Sequence, residues 1–287
     1  MKTNFKRERE WWNTKAEIEE QDRADESFNR LLRWRVIEKH LQGVSTILDV
    51  GAATGVFSIP LAKRGYNVTH VDLAPKMLDI ARKKADGIAN IRFVEANAAD
   101  LSKFTDQSFD LVLNMDGAIS FCGSEAETAL SECCRLAKKT LIVTVSNRAW
   151  MFPLWAACSL SDLGRFVPAV YAMLEQGEWH YEQFPENSQL SKEYLGDLKA
   201  FLPQELKNSI EQNGLSVLRC GGLGSLINLC GREASEIALK DKALLEEFLN
   251  LCERFDAEIL TCGPGTKQRA GLIAVAERIT KVEGKDV

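Results

Sequence analysis

An apolar run that leads into a glycine-bearing turn is the feature that most restricts how this sequence can fold. Residues Ile47–Val50 have the character of a buried strand, and Gly51 and Gly55 follow it, before an amphipathic stretch begins. Gly51 can adopt a positive φ angle, and Gly55 lets a ligand approach the main chain. Because N–H groups are unpaired at the start of a helix, a strand, turn and helix in this order indicate a nucleotide site. A turn needed only for helix–strand packing is the alternative interpretation.

Short apolar runs alternate with amphipathic stretches between residues 46 and 146, which predicts a parallel sheet with helical crossovers. The predicted strands are Ile47–Val50, Val68–Val71, Ile91–Val94, Phe109–Leu113 and Leu141–Val145. The predicted helices between them are Val56–Lys63, Lys76–Ala85 and Glu125–Lys138. Further along, the sequence predicts a helix at Pro203–Gln212, a strand at Leu215–Cys220, a charged helix at about Ser235–Phe255 and a strand at Gly271–Ala276. We expect an α/β fold with a doubly wound, mostly parallel, Rossmann-like sheet of seven strands.

Two segments do not follow this alternation. Residues 1–44 carry apolar residues at helical spacing between charged ones, which predicts an N-terminal helical cap. Residues 148–202 include three of the six tryptophans and predict a helical, aromatic insertion that does not continue the sheet. We therefore divide the chain into the cap 1–44, the core 45–147, the insertion 148–202, the completion of the sheet at 203–280 and a tail at 281–287.

Composition excludes several classes of partner. The 36 Lys and Arg residues are outnumbered by 41 Asp and Glu residues, so no global positive field favours a nucleic-acid partner. The eight cysteines form no CxxC pair and there are three histidines, so no metal site is expected. The charged N-terminus does not resemble a secretory signal, and the stretch 149–161 is too short to span a membrane. A cytoplasmic protein is the expectation, with an oligomeric state that the sequence leaves open.

Two acidic residues indicate the charge of the ligand. Asp72 ends the second predicted strand, where a carboxylate accepts hydrogen bonds from ribose hydroxyls. A dinucleotide-binding fold would share this residue, but the glycine spacing here is shorter than Gly-x-Gly-x-x-Gly. Asp49 precedes the turn and would repel a pyrophosphate, whereas it suits a cationic ligand. These features argue against a nicotinamide-dependent reductase.

At this point the sequence resembles the class I S-adenosylmethionine-dependent methyltransferases. The resemblance covers residues 45–146 well and 203–220 loosely. It is carried by the turn DVGAATG at Asp49–Gly55, by Val71–Ala74 with Met77 and Leu78, by Glu95–Leu101 and by Ser108–Leu113. It implies S-adenosyl-L-methionine as cofactor, S-adenosyl-L-homocysteine as product and methyl transfer to an O, N or C atom of a small-molecule acceptor.

The resemblance also implies roles for individual residues. Asp49 and Gly51 would contact the methionine part of the cofactor, Asp72 the ribose, Asn97 and Ala98 the adenine, and Asn114 would lie near the sulfonium. The full predicted cofactor site is Asp49, Gly51, Ala52, Ala53, Gly55, Asp72, Leu73, Asn97, Ala98 and Asn114. Two residues depart from the family pattern: Ala53 stands where a second glycine is usual, and Asn97 where an acidic residue is more common.

Catalysis and acceptor binding are predicted from residue chemistry. A sulfonium is an activated methyl donor, so positioning in a desolvated pocket suffices, with no metal or covalent nucleophile. If the acceptor must lose a proton, Asp116 and His180 are the candidate bases, although a turn residue and an ordinary histidine are the alternatives. The aromatic residues predicted to hold the acceptor, unless they only pack the insertion, are Trp12, Trp150, Trp155, Tyr171, Trp179 and Tyr181.

Other functions stay open on the sequence alone. The acceptor could be RNA or protein, although the acidic charge and the lack of an appended basic domain lower that expectation. A chain of this fold could also use the cofactor for a different reaction such as cyclisation, or bind it without catalysis.

Overall fold

The computed structural model describes residues 2–19, 24–115, 117–183, 196–259 and 271–279. Within these residues nine strands are hydrogen-bonded together. They are β1 Thr46–Val50, β2 Asn67–Asp72, β3 Ile91–Glu95, β4 Phe109–Asn114, β5 Ala137–Asn147, β6 Glu178–Trp179, β7 Leu198–Phe201, β8 Leu215–Leu223 and β9 Gly271–Arg278.

Strands β3, β2, β1, β4 and β5 lie side by side in that order, and all neighbours are parallel. Strand β9 continues the sheet beyond β5 and is antiparallel both to β5 and to β8. The order in which the strands follow one another reverses between β1 and β4. In sheets of this kind, ligands bind at that point, beyond the carboxyl ends of the strands. The expected mostly parallel, Rossmann-like sheet is confirmed, although nine strands are joined where seven were predicted.

Helices cover both faces of this sheet. They are α1 Phe5–Lys15, α2 Ala24–Glu38, α3 Ser58–Lys63, α4 Pro75–Lys84, α5 Ala126–Leu136, α6 Arg148–Leu163, α7 Pro168–Glu175, α8 Pro203–Gln212, α9 Ser225–Ala238 and α10 Lys242–Arg254. Side chains of α5 and α8 share one apolar cluster with the sheet, and those of α2, α3, α9 and α10 share the other. The neighbours Leu111 and Val112 belong to different clusters and both are fully buried. Burial on both faces explains why the central strands are apolar without alternation.

The insertion departs from the prediction that it would not continue the sheet. Its helices α6 and α7 are followed by β6 and β7, which pair with each other. Strand β7 then runs parallel to the end of β5, with Ala200 opposite Ser146 and Phe201 opposite Asn147. Strands of two and four residues are too short to show an alternating pattern, so sequence periodicity could not reveal them.

Two predicted helices also have different bounds. Helix α5 ends at Leu136, and Lys138 already lies in β5, so the predicted helix was two residues too long. The predicted charged helix near Ser235–Phe255 is instead two helices, because the Asp241 side chain caps α10 by accepting hydrogen bonds from the N–H groups of Ala243 and Leu244. The predicted tail 281–287 lies outside the described residues.

The helical cap consists of α1 and α2, joined through residues 16–23. The Asn4 side chain caps α1 by accepting from the N–H of Arg7 at 3.2 Å. The preceding residue, Thr3, donates from Oγ1 to the carbonyl of Cys122, which attaches the start of α1 to the loop after β4. In the described part of the chain, every helix is too short or too polar to cross a membrane. We propose that the cap, the core, the insertion and the completion of the sheet together form one functional unit at the carboxyl ends of the strands.

Candidate functional site

The turn after β1 is held against the end of β2 by main-chain hydrogen bonds. The N–H groups of Gly51 and Ala52 both donate to the carbonyl of Val71, at 2.8 and 3.0 Å. Gly51 has a φ of +68° and Gly55 a φ of +91°. A Cβ atom at Gly51 would lie 2.2 Å from Cβ of Ala118, so only glycine fits where the two loops meet. Glycine at this position therefore lets the turn after β1 pack directly against the loop after β4.

Asp72 links the end of β2 to that turn. Its Oδ2 accepts the N–H of Ala53 and its Oδ1 accepts the N–H of Ala74, both at 2.8 Å. A carboxylate has about four acceptor positions, so each oxygen keeps capacity for a further donor. Burial raises the pKa of Asp72 to about 6, and the N–H donors oppose that rise. The geometry therefore fits a carboxylate that accepts hydrogen bonds from the hydroxyl groups of a ligand.

Asn97 and Ala98 follow β3 at the same edge of the sheet. The side-chain oxygen of Asn97 accepts the N–H of Ala99 at 3.0 Å and closes a local turn. With that oxygen engaged, the amide NH₂ of Asn97 is the side-chain group best able to serve a ligand. The departure from an acidic residue thus changes the side chain from an acceptor into a donor at this position.

A cavity of about 520 Å³ joins these three segments to the aromatic residues of the cap and insertion. From the predicted cofactor site, the residues that line it are Gly51, Ala53, Asp72, Leu73, Asn97 and Ala98. From the predicted acceptor site, the residues that line it are Trp12, Trp150, Trp155 and Trp179. The Trp12 ring packs edge-on against Phe121 with 4.9 Å between ring centroids. Residues of the predicted cofactor site and of the predicted acceptor site therefore line the same cavity.

Four residues of the predicted cofactor site lie outside this lining: Asp49, Ala52, Gly55 and Asn114. Asn114 is fully buried, and its side-chain NH₂ donates to the carbonyl of Val50 at 2.9 Å while Oδ1 accepts from Ile119. This residue ties the end of β1 to the loop after β4. These contacts are structural, and the predicted position of Asn114 near the sulfonium stays a prediction.

The remaining predicted residues are placed as follows. Tyr171 is 54% exposed and does not line the cavity, because it faces outward from α7. His180 is buried next to the cavity wall but is not part of the lining, and its Nδ1 lies 3.7 Å from Oδ1 of Asp197. Interaction with Asp197 raises the pKa of His180. Asp116 and the side chain of Tyr181 lie outside the described residues. Tyr171 and His180 therefore do not contribute to this cavity, and their predicted roles stay predictions.

Glu8 is a cavity residue that the sequence reasoning missed. It comes from α1, is 2% exposed, and its Oε1 accepts the N–H of Asp197 at 3.2 Å. Burial raises the pKa of Glu8 to about 7. Glu8 follows Phe5 by three residues and precedes Trp12 by four. This spacing puts all three side chains on one face of α1. That spacing was the available signal, hidden in a segment dominated by charged residues.

Two other kinds of group bear on the chemistry of the site: potential metal ligands and the cavity cysteine. No group of three or more His, Cys, Asp or Glu side chains there is arranged to hold a metal ion. The cysteine in the lining, Cys122, has its pKa raised by burial to about 12, so it stays a neutral thiol near neutral pH.

Comparison with known proteins identifies the core. Residues 47–140 match the family model described as a methyltransferase domain. The chain is 35% identical over 108 residues to demethylmenaquinone methyltransferase from Tropheryma whipplei, a match covering 37% of this chain and 44% of that protein. It is 32% identical over 109 residues to EEF1A lysine methyltransferase 2 from Homo sapiens, covering 33% of this chain and 45% of that protein. The chain thus spans less than half the length of these curated relatives.

A solved structure extends the similarity beyond the core. The S-adenosylmethionine-dependent methyltransferase from Mesorhizobium loti superposes with a TM-score of 0.56 at 17% identity, over 86% of this chain and 98% of that chain. The shared fold includes the parallel sheet at whose edge the turn, Asp72 and Asn97 meet. The chain therefore contains a methyltransferase domain at residues 47–140, within a fold similar to that of the Mesorhizobium loti protein.

Proposed function

We propose that this chain transfers the methyl group of S-adenosylmethionine to a small, largely apolar acceptor molecule. The observation that carries the proposal is the single cavity lined both by Gly51, Asp72 and Asn97 and by tryptophans of the cap and insertion. Its volume of about 520 Å³ lies within the range of small-molecule sites. The aromatic lining favours an apolar acceptor, because indole faces offer a large contact area with few polar groups.

The residues present fit the cofactor. Asp72 has the acceptor capacity for ribose hydroxyls, and Gly51, which lines the cavity, would lie beside the methionine part. Asn97 and the Ala98 N–H, which line the same cavity, would contact the adenine edge. When bound, S-adenosylmethionine supplies a methyl group on a cationic sulfonium that needs no further activation. The acidic residues Asp49 and Asp72 near the turn favour a cation over a pyrophosphate.

The chain's own contribution is alignment and exclusion of water. Helix α1 carries Trp12 over the site, and the edge-on contact with Phe121 holds that ring in place. Trp150, from the first turn of α6, and Trp179, from β6, add further apolar surface to the lining. Alignment of donor and acceptor in a desolvated cavity lowers the barrier without any covalent chemistry by the protein. Aromatic faces also stabilise positive charge next to them.

A macromolecular acceptor is the competing proposal. The two curated relatives named above act, by their names, on demethylmenaquinone and on a protein lysine, so family membership does not decide the acceptor. The argument for a small molecule rests on the burial of Trp150, Trp155 and Trp179, since a protein or RNA substrate needs an open approach. The net charge of −5 further disfavours RNA.

The test is to follow the methyl group. The protein and methyl-labelled S-adenosylmethionine are incubated together in three parallel reactions. Each reaction contains one fraction of a cell extract: small molecules, protein or RNA. We expect label in one or a few small molecules, identified by mass spectrometry. An Asp72→Asn variant run beside it should transfer far less label. Label confined to the protein or RNA fraction would contradict the proposed acceptor class.

A further inference from the structure

The carboxyl group of Glu8 is buried at the cavity wall with one oxygen unsatisfied. Its Oε1 accepts the N–H of Asp197, but its Oε2 has no hydrogen-bond partner among the described residues. A buried polar atom without a partner is destabilising, and more so when it is charged. Because Glu8 lines the cavity that Trp12 and Asp72 also line, a ligand in that cavity is the natural partner for Oε2.

The position of this carboxyl group is fixed by close packing. A Cβ atom at Gly196, which also lines the cavity, would lie 2.9 Å from Oε2 of Glu8. The first residues of the chain are anchored by Thr3, whose N–H donates to Oγ of Ser124 at 3.1 Å. Helix α1 therefore cannot slide without breaking buried contacts. Glu8 is held in a fixed place, with its second oxygen buried in the cavity wall.

The charged and titratable groups around Glu8 leave it near the balance between its two protonation states. Burial is the largest influence and raises its pKa to about 7, and the carboxylate of Asp197 adds to that rise. The N–H of Asp197 and the guanidinium of Arg7, with Nη1 4.0 Å from Oε1, act in the opposite direction. The Cys122 thiol is nearby and stays neutral, and His180 lies behind Asp197. A base with a pKa near the working pH is the most effective proton acceptor.

We infer that Glu8 is a catalytic residue that accepts a proton from a hydroxyl or amine group of the acceptor, through Oε2. The inference rests on the proposed methyl transfer and narrows its acceptor to a protic group on an apolar, aromatic-sized molecule. The acceptor oxygen or nitrogen forms its bond to the methyl carbon as the carbon–sulfur bond breaks, and that electron pair stays on sulfur. The acceptor's proton moves to Glu8, which becomes a neutral acid and later releases it to water.

Other groups near the cavity are less suited to this step. Both oxygens of Asp72 already accept main-chain N–H groups, and its remaining capacity is needed for the ribose. Burial holds Cys122 in the protonated thiol form, with a pKa of about 12. His180 does not line the cavity. It can influence Glu8 only through Asp197, which both residues contact.

The experiment measures the binding of 2-naphthol, a neutral aromatic hydroxyl compound, in the presence and absence of S-adenosylhomocysteine. Affinity is read by tryptophan fluorescence between about pH 5.5 and pH 8.5 for the wild type, Glu8→Gln and Glu10→Gln. A hydrogen bond to ionised Glu8 should make 2-naphthol bind about tenfold more tightly above pH 7 than below it. The matched probe 2-methoxynaphthalene, which cannot donate, should show no such dependence. Glu10 is exposed on α1, so its variant should behave like the wild type.

The variants have distinct expected results. Glu8→Gln should lose the pH dependence, keep its affinity for S-adenosylhomocysteine, and form methylated naphthol about a hundredfold more slowly than wild type. Gly196→Ala, which crowds Oε2 but keeps the carboxyl group of Glu8, should weaken the binding of 2-naphthol more than that of 2-methoxynaphthalene. The same pH dependence in wild type and Glu8→Gln, a flat wild-type profile, or no 2-naphthol binding would overturn the inference. If the wild type fails to bind S-adenosylhomocysteine but still binds 2-naphthol in a pH-dependent way, the proposed function is wrong. Glu8 would then still be a binding site for a hydroxyl group.

Discussion

The carboxylate of Asp72 accepts the main-chain N–H of Ala53 at 2.8 Å, which joins the end of β2 to the turn after β1. The second oxygen of the same carboxylate accepts the N–H of Ala74. The side chain that would bind the cofactor ribose therefore also sets the shape of the turn beside it. Changes in its charge should alter binding and local structure together.

Cofactor affinity should depend on pH through Asp72. Burial raises its pKa to about 6, and ribose hydroxyls prefer to donate to the ionised form. Binding therefore favours loss of the proton, so affinity rises with pH and levels off above the pKa of the unbound protein. We expect S-adenosylhomocysteine to bind about tenfold more weakly near pH 5 than near pH 7 in calorimetric titrations. The Asp72→Asn variant, which cannot ionise, should give a flat profile, and a sloping one would assign the dependence to another group.

Gly51 should be far less tolerant of a side chain than Gly43. Both have almost the same positive φ, +68° and +69°, but a Cβ atom meets Ala118 at Gly51 and nothing within 4 Å at Gly43. Gly43→Ala should reduce the free energy of unfolding by about 1–2 kcal/mol through backbone strain alone. Gly51→Ala adds overpacking of about 1–3 kcal/mol to that loss.

Urea unfolding of the two glycine variants measures the difference. Gly51→Ala should also bind S-adenosylhomocysteine more weakly, since the loop that contains Ala118 must move. Gly43→Ala should keep wild-type affinity. Equal losses of stability in the two variants would show that the close approach of the two loops is not as described.

His180 should act on stability and not on the chemistry. Interaction with Asp197 raises its pKa above the unfolded value, so its contribution is fully present below about pH 6.5 and is lost as the pH rises through the folded pKa. Urea unfolding should therefore show a larger cost of His180→Gln near pH 6 than near pH 9. His40 gives the opposite sign, because burial lowers its pKa and its neutral form is favoured in the fold. A loss of methyl transfer by His180→Gln at unchanged stability would restore His180 as the candidate base.

Sequence reasoning predicted the parts of the site that depend on local order along the chain. Gly51 must follow β1 and Asp72 must end β2, and parallel neighbouring strands bring these two ends together. That argument needs only the strand pattern and the positions of two residues. The fold class followed from the same alternation of strands and helices.

The parts that sequence reasoning missed depend on contacts between distant segments. Glu8 becomes a cavity residue only because α1 is anchored at Cys122 and meets Asp197, both more than a hundred residues away along the chain. Its neighbours in the sequence, Arg7, Arg9 and Glu10, are also charged, which hides a single buried carboxyl group. Tyr171 was predicted by composition alone, and composition cannot tell the inner face of α7 from the outer one.

Calorimetric titration of S-adenosylhomocysteine tests the central claim most directly. The wild type should bind one molecule and should not bind NADH. Asp72→Asn should weaken binding about 10–100-fold, the effect of losing charge-assisted hydrogen bonds. The control Asp79→Asn, at a side chain 63% exposed on α4, should keep wild-type affinity. Binding of NADH in place of S-adenosylhomocysteine, or unchanged affinity in Asp72→Asn, would contradict the assignment of this cavity as the cofactor site.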